Sequence, residues 1–264
     1  MLMTDVDNHD PQAEWIVVET AERETARRAA ACAAATIERA IAEKGHARVV
    51  FASAPSQEAM LAELTTDPRI DWSRITAFHM DEYLDLRMDH PQAFGSWLEQ
   101  RLPRDAHVGL ARIRTDAVVV DEITRYTALL AEAPIDLVCL GVGVNGHIAF
   151  NEPGQADIDD DVTMREIRLD DASRTQQVDD GLFPTFDDVP ARALTLTVPA
   201  LMSATTLVCT VLGSHKAAAV AAALEGPVAR SCPASYLQRH HHAHWFVDTS
   251  AARLLTGSSV RSQL

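Results

Sequence analysis

The chain alternates between short apolar runs of β-type composition and longer runs of helical periodicity, and this alternation constrains the fold more than any other feature. The clearest apolar run, IDLVCLG at 135–141, is bounded by Pro134 and Gly141 and predicts a strand buried on both faces. Repeated strand–helix–strand units favour a parallel sheet covered by helices on both faces. We therefore predict an α/β fold with a single doubly wound, mostly parallel, Rossmann-like sheet.

The pattern also predicts element positions and domain organisation. Strands are predicted at 14–20, 47–53, 74–80, 108–114, 135–141, 164–170, 193–199, 205–213 and 243–249. Helices are predicted at 21–44, 56–66, 91–102, 120–133 and 214–226, with a last helix after residue 249. Residues 155–190 are acidic and rich in turn formers, so they are the least regular segment. We expect a flexible N-terminus at 1–13 and a single domain at 14–264.

The net charge of the chain limits the kinds of partner that it can bind. The formal net charge is −15, from 38 acidic and 23 basic side chains, and no run of Lys or Arg interrupts the acidic background. Electrostatic repulsion therefore argues against nucleic acid and anionic membranes as partners. A small anionic substrate remains compatible with this charge, because a few buried cations can hold one phosphate group.

Cysteine and histidine spacing argues against a metal site. The four cysteines are far apart and form no CxxC pair, which disfavours a zinc site and a disulfide framework and fits a reducing, cytoplasmic compartment. The histidines of RHHHAH (239–244) are adjacent in a predicted loop and cannot all face one ion. The acidic N-terminus lacks the apolar core of a signal peptide, and no apolar run approaches the length of a membrane span.

Polar residues that could bind a ligand or catalyse a reaction follow three predicted strands. These segments are ASAPS at 52–56, MDEY at 80–83 and GVNGHIAFNEPG at 143–154. Ligands of open α/β sheets bind outside the carboxyl ends of the strands. We therefore expect the three segments to meet at one site.

The glycines of the third segment have the spacing of a dinucleotide-binding turn. Gly141, Gly143 and Gly146 fit G-x-G-x-x-G, a pattern in which the third glycine opens a helix that holds a pyrophosphate. Here the breaker pair Pro153-Gly154 follows too soon for such a helix. The motif also lies after several strand–helix units rather than in the first one, so nicotinamide binding is disfavoured.

The polar residues of this segment favour acid/base chemistry instead. Asn145, His147, Asn151 and Glu152 crowd a short irregular stretch, and so many hydrogen-bonding groups are costly to bury unless they are paired or used. A turn in which His147 and Glu152 merely cap the backbone is the alternative. The carboxylate pair Asp81-Glu82 after another strand favours an acid/base site.

Four separated motifs together resemble the glucosamine-6-phosphate deaminase (isomerase) family: MDEY, then DHPQAF, then GVGVNGHIAFNEPG, then LEGPVARSCPASYLQRH. The resemblance runs from about residue 15 to the C-terminus. The 6-phosphogluconolactonases share the fold, but they typically read DER where this chain has DEY at 81–83, and SLFPG where it has FNEPG at 150–154. Both positions favour the deaminase side of the family.

The resemblance implies a reaction and roles for several residues. An amino-sugar phosphate would be converted to a ketose phosphate and ammonia, without metal or cofactor. Asp81 would move a proton from C2 to C1, His147 would assist opening of the sugar ring, and Glu152 would tune His147 and help to protonate the leaving amine. The glycines at 141, 143 and 146 would let the backbone approach the sugar.

The chain departs from the family pattern at two places. Asn145 stands where Asp is frequent, and it is interpreted as a tolerated variant that still orients the histidine. The phosphate loop, often T-G-S-T-P, is ASAPSQ here, and Pro55 lacks the N–H that a phosphate cradle uses. Ser53 and Ser56 still offer hydroxyl groups, and an anion site is expected in altered form because two cations, Arg174 and Lys216, match phosphate contacts of the family.

Further substrate contacts are predicted from charged residues. Lys216 in GSHKAAA and Arg174 in ASRTQQ match phosphate contacts of the family, although a solvated surface arginine is the alternative for Arg174. Glu82 is predicted to contact the substrate beside Asp81. The expected partner is a small amino-sugar phosphate, and a homo-oligomer is left open.

Three functional readings remain after these matches. The first is a deaminase/isomerase acting on glucosamine 6-phosphate or another amino-hexose phosphate, such as the galactosamine isomer. The second is a lactonase-like hydrolase. The third is a sugar-phosphate-binding regulator without turnover, which the altered ASAPSQ loop favours and the retained Asp81, His147 and Glu152 disfavour.

Overall fold

The computed structural model describes residues 16–256, and the segment predicted to be a flexible N-terminus lies outside them. The strands are β1 (Ile16–Glu19), β2 (Ala47–Phe51), β3 (Ile75–His79), β4 (Asp81–Tyr83), β5 (Leu110–Ala111), β6 (Leu137–Leu140), β7 (Met164–Arg168), β8 (Arg192–Leu196), β9 (Thr206–Val211) and β10 (Ala243–Asp248). The helices are α1 (Glu22–Lys44), α2 (Pro55–Thr65), α3 (Phe94–Arg101), α4 (Arg104–His107), α5 (Val119–Ala131), α6 (Asp171–Asp179), α7 (Val198–Met202) and α8 (Ala217–Glu225). Short 3₁₀ helices add Trp72–Arg74, Phe186–Asp188, Ser214–Lys216 and Pro233–Arg239.

The central sheet confirms the predicted fold class. Seven parallel strands are ordered β1-β10-β9-β6-β2-β3-β5. Side chains alternate between two cores: Val49 and Phe51 pack with helices α1, α2 and α3, whereas Val50 packs with α5 and α8 on the other face. This period-two alternation is what a strand covered on both sides requires.

Local sequence explains the longest helix. α1 is rich in alanine, carries Glu22 and Glu24 in its first turn and Lys44 in its last, and so complements the helix dipole at both ends. Gly45 ends it with φ of 79°, and its N–H donates to the carbonyl of Ile41 at 2.8 Å. A glycine in this left-handed conformation is the usual way to stop a helix.

The structure adds a small second sheet that the sequence pattern did not predict. β4 pairs antiparallel with β8, which pairs antiparallel with β7. The chain leaves the main sheet after β3 and enters this sheet at Asp81, which lies opposite Thr195. A three-residue strand such as DEY is too short to show a period.

Three other predictions differ from the structure. Of the strand predicted at 108–114, only the two residues of β5 form a strand. The segment predicted to be irregular at 155–190 contains helix α6. The helix predicted after residue 249 is wrong within the described residues, because 249–254 form turns. α6 was missed because its mean composition is polar, yet Asp170 caps it by accepting the N–H of Ser173 at 2.7 Å.

Candidate active site

A cavity of about 290 Å³ opens at the carboxyl ends of the neighbouring strands β2, β3, β6 and β9. Adjacent parallel strands bring their following loops together, so segments far apart in sequence meet here. The cavity is lined by six residues of the predicted site: Ser53, Ser56, Asp81, Gly141, Gly143 and Lys216.

Asp81 lies in the cavity wall as a buried carboxylate, only 6% exposed. Within the described part of the chain, its carboxylate has neither an ion pair nor a hydrogen-bond donor. Burial, with a smaller contribution from the neighbouring charge of Glu82, raises the pKa of Asp81 well above its usual value. The carboxyl group of Asp81 is therefore costly to ionise without a cationic neighbour, and once ionised it is a strong base.

The backbone that carries Asp81 is held firmly. The Nδ1–H of His79 donates to the backbone carbonyl of Asp81 at 2.8 Å, while its Nε2 accepts the N–H of Ile113 at 2.9 Å. Since Nε2 accepts a backbone proton, the ring is neutral, and burial lowers the pKa of His79 to about 4. The Tyr126 hydroxyl accepts the N–H of His79 at 3.0 Å and donates to its carbonyl at 2.8 Å.

Glu82 does not line the cavity, and its predicted contact with substrate has no support in this geometry. Its carboxylate accepts backbone N–H groups from Tyr83 at 3.0 Å and from Phe94 and Gly95 at 2.9 Å. It therefore caps the N-terminus of α3. Burial raises the pKa of Glu82 to about 7 in spite of these three donors and the nearby charge of Arg112.

His147 and Glu152 form the second buried cluster of the site. Nδ1 of His147 lies 3.5 Å from Oε2 of Glu152 and 3.0 Å from Oγ of Ser173, and that hydroxyl also donates a short hydrogen bond to Oε1 of Glu152. Asn145 completes the cluster: its Oδ1 accepts the backbone N–H of His147 at 3.1 Å, and its Nδ2 donates to Oε2 of Glu152 at 3.0 Å. Its amide contacts the histidine through the backbone rather than the imidazole.

Glu152 remains ionised although it is fully buried. Burial would raise the pKa of this carboxyl, but the opposing effects of His147, Ser173 and Asn145 lower it to about 2. Asn145 also donates to Asp170 at 3.3 Å. One amide therefore pairs with two carboxylates, a position at which an aspartate would add a third negative charge.

Glycine is required at two positions of the loop for different reasons. A Cβ on Gly143 would lie 2.2–2.4 Å from ring atoms of His147, so this glycine leaves room for the imidazole; Gly143 lines the cavity, whereas His147 lies next to it and is not itself a lining residue. Gly146 has φ of 87°, and a Cβ there would lie 2.8 Å from Sγ of Cys232. Gly146 does not line the cavity and acts through the shape of the turn.

The other end of the cavity is suited to an anion. Lys216 is 5% exposed, and in the described residues no carboxylate lies within 4.0 Å of its ammonium. Burial lowers the pKa of Lys216 to about 8, opposed by the more distant charge of Asp180. Helix α2 begins beside the cavity, with Pro55 at its first turn, where no N–H is needed for the helix.

Arg174 is not among the residues that line the cavity, so its phosphate contact stays a prediction that this geometry does not support. Its guanidinium donates to the carbonyls of Phe186 at 2.8 Å and Val189 at 3.0 Å, and it stacks on the Phe186 ring at 3.9 Å. These contacts give Arg174 a structural role between α6 and the following 3₁₀ helix.

Sequence reasoning missed several polar residues at the site, among them Ser173, Gln177 and Gln57. Ser173 joins His147 to Glu152, and Gln177 lines the cavity while its Oε1 accepts the Tyr83 hydroxyl at 2.8 Å. Gln57 is fully buried and donates to the carbonyls of Leu140, the last residue of β6, and Thr210, near the end of β9, both at 3.3 Å. Only the capping pattern of Asp170 with Ser173 gives a sequence signal for any of them.

No cluster of three or more His, Cys, Asp or Glu side chains in residues 16–256 is arranged to hold a metal ion. His240 instead contacts the carbonyl of Ala204 at 2.8 Å and accepts the N–H of His242 at 3.1 Å. Over the same residues, no helix is long and apolar enough to cross a membrane.

Comparison with known proteins identifies the family. The model of glucosamine-6-phosphate isomerases/6-phosphogluconolactonase matches residues 20–245. The chain belongs to this family. A glucosamine-6-phosphate deaminase of Rhodopirellula baltica is 36% identical over 201 residues, which cover 74% of this chain and 78% of that protein. One from Exiguobacterium sibiricum is 33% identical over 196 residues, covering 74% and 76%.

Solved structures of the family have the same fold. A monomeric glucosamine-6-phosphate deaminase superposes with a TM-score of 0.83 at 27% identity, covering 90% of this chain and 99% of that one. The 6-phosphogluconolactonase of Trypanosoma brucei gives 0.74 at 16% identity, covering 92% and 98%. The second likeness shows the fold alone, because its identity is so low.

Proposed function

We propose that this protein converts an amino-hexose 6-phosphate, with glucosamine 6-phosphate as the leading substrate, into a ketose phosphate and ammonia. The observation that carries this proposal is a single cavity holding Asp81, a buried carboxylate without a donor, and Lys216, a buried cation without a carboxylate partner. A ligand with a cationic amine and an anionic phosphate complements both groups.

Lys216 provides the charge for the phosphate end. The hydroxyl groups of Ser53 and Ser56 line the same cavity, and the N-terminus of the eleven-residue helix α2 adds a favourable dipole. Pro55 contributes no donor, so Lys216 supplies a larger share of the anion affinity than it would in a glycine-rich loop. Arg174 has no part in this site.

Asp81 provides the base for the isomerisation. A carboxylate with a raised pKa is a stronger base when ionised, and the ammonium group of a bound amino sugar would favour the ionised form. It would take the proton from C2 and return it to C1, which converts the aldose skeleton into a ketose imine. Water then adds to the imine carbon, and the amine leaves as ammonia.

His147 would assist opening of the sugar ring, and Glu152 would stabilise the charge of protonated His147. Opening the ring moves a proton from the C1 hydroxyl to the ring oxygen, and an imidazole can transfer it in both directions near neutral pH. The buried, ionised Glu152 stabilises His147 when it holds that proton. In this order Asp81 and His147 serve different bonds of one substrate.

The relatives favour the deaminase over the lactonase reading. The proteins named glucosamine-6-phosphate deaminase are 32–36% identical to this chain, whereas the lactonase likeness from T. brucei rests on 16% identity. We further propose a single domain at 14–264 acting in the cytoplasm, as a monomer or a homo-oligomer. Four cysteines without disulfide bonds support a reducing compartment.

An ammonia-release assay tests the proposal. We expect release from glucosamine 6-phosphate, slower or no release from galactosamine 6-phosphate, and none from glucosamine without phosphate. A 6-phosphogluconolactone assay run in parallel detects the hydrolase activity. Folded protein that releases ammonia from neither amino-sugar phosphate contradicts the proposal, and binding without turnover would favour a regulator.

A further inference from the structure

Ser173 lies between the two partners of the histidine cluster. It is the third residue of α6 and is fully buried. Its Oγ lies 3.0 Å from Nδ1 of His147 and contacts Oε1 of Glu152 at short range. The cap formed by Asp170, which accepts the N–H of Ser173 at 2.7 Å, fixes the place of this serine.

The donors and acceptors of the cluster determine where each proton lies. The backbone N–H of His147 can only donate, so Oδ1 of Asn145 must face it and Nδ2 must face Glu152. Glu152 as a carboxylate can only accept. The single proton of the Ser173 hydroxyl therefore goes to Glu152, and Oγ is left as an acceptor for His147.

We propose that Ser173 is a positioning residue that holds neutral His147 in the tautomer with its proton on Nδ1. Nε2 then carries a lone pair, and no group of the described chain donates to it. That lone pair can accept the C1 hydroxyl proton as the C1–O5 bond breaks and then pass the proton to O5. The catalytic consequence rests on the proposed function, whereas the tautomer does not.

Removing the hydroxyl should weaken this preference. In Ser173→Ala, Oε1 of Glu152 loses its donor, and Nδ1 of His147 keeps only the longer 3.5 Å approach to Oε2. The tautomer with the proton on Nε2 then becomes populated. A matched control is Ser96→Ala, since Ser96 is also buried, is also third in its helix, and donates to the carbonyl of Met88 outside the cavity.

Nitrogen NMR measures the tautomer directly. Long-range ¹H–¹⁵N spectra of protein labelled at its 11 histidines, recorded where His147 is neutral and assigned with His147→Gln, should show a protonated Nδ1. Ser173→Ala should shift that signal toward the other tautomer, and Ser96→Ala should leave it unchanged. A wild-type signal with the proton on Nε2, or no shift in Ser173→Ala, overturns the proposal.

Kinetics give a second, separable readout. Loss of a hydrogen bond to a charged group should lower kcat of Ser173→Ala by about 10- to 100-fold with KM unchanged. A KM increase without a kcat change would contradict the positioning role. Wild-type protein that shows the Nδ1 tautomer but no ammonia release would refute the proposed function and leave the tautomer assignment standing.

Discussion

Asp81 and Glu152 are buried carboxylates of the same site with opposite electrostatic surroundings. Asp81 faces the cavity without a donor, and burial raises its pKa well above the usual value. Glu152 lies beside His147, and the contacts with His147, Ser173 and Asn145 lower its pKa to about 2 although it is at least as buried. Burial alone therefore does not decide which carboxylate is ionised: His147 and two hydrogen-bond donors outweigh burial at Glu152, whereas three backbone donors do not outweigh it at Glu82.

This difference assigns a task to each group. A carboxylate without partners can change its protonation state at moderate cost, as a proton-transfer group must. A carboxylate beside a histidine and two hydrogen-bond donors, as Glu152 is, keeps its charge and orients what surrounds it. The following substitutions test whether the two carboxylates really differ in this way.

The largest effect is expected for Asp81→Asn. Loss of a general base should lower kcat by roughly 10²- to 10⁴-fold. The free energy of unfolding should stay equal or rise, because the amide has no charge to desolvate. Asp121→Asn, at an exposed position in the first turn of α5, is the control for both measurements. Retained turnover by Asp81→Asn would remove Asp81 from the mechanism.

Glu152→Gln should destabilise the protein, unlike Asp81→Asn, and should lower activity less. A glutamine amide must direct N–H₂ toward a donor of the cluster, which we expect to cost about 1–3 kcal/mol in urea unfolding. The kcat value should fall by roughly 10²-fold, at the lower end of the range for acid/base partners. If Glu152→Gln unfolds at the same urea concentration as wild type, the contrast with Asp81 fails.

Lys216→Gln tests the anion end of the cavity. Losing a charge-assisted contact should raise KM for the phosphorylated sugar by about 10- to 100-fold, with a smaller effect on kcat. Arg174→Gln is the matched control, because its guanidinium is engaged by Phe186 and Val189. It should lower stability without raising KM. A large KM increase for Arg174→Gln would support the phosphate contact that the sequence predicts for Arg174.

The smallest effect is a pH dependence of binding. The pKa of Lys216 is about 8 in the free protein, so the cation is present below that pH and is lost as pH rises through it. Affinity for a hexitol 6-phosphate, which has no amine of its own, should fall by at most about tenfold per pH unit above about 8. Lys216→Arg should abolish this decline; its persistence would assign the titration elsewhere.

Much of the scaffold could be predicted because periodicity and strand ends are local features. The strands at 135–141 and 74–80 and the polar residues after them contain local signals, so His147, Glu152 and Asp81 could be named as an acid/base site, with their separate roles implied by the family resemblance. Their convergence follows from the parallel sheet, whose neighbouring strands end at the same edge.

The errors come from side-chain direction, which depends on elements that the sequence did not reveal. Ser173 and Arg174 are neighbours on α6, so they point about 100° apart: one meets His147 and the other meets Phe186. Asp81 and Glu82 are neighbours on β4, where successive side chains face opposite sides of the strand. Because the sequence did not reveal α6 and β4, it could not show which residue of each neighbouring pair faces the site.

The hydrogen bonds that His79 and Tyr126 make next to Asp81 have an evolutionary consequence. The His79 ring binds the backbone carbonyl of Asp81, and the Tyr126 hydroxyl binds the N–H and carbonyl of His79, so these backbone contacts do not depend on which side chain stands at position 81. A lineage could therefore lose turnover by a single substitution and keep a folded sugar-phosphate receptor. Non-catalytic descendants of such a chain would be one mutation away.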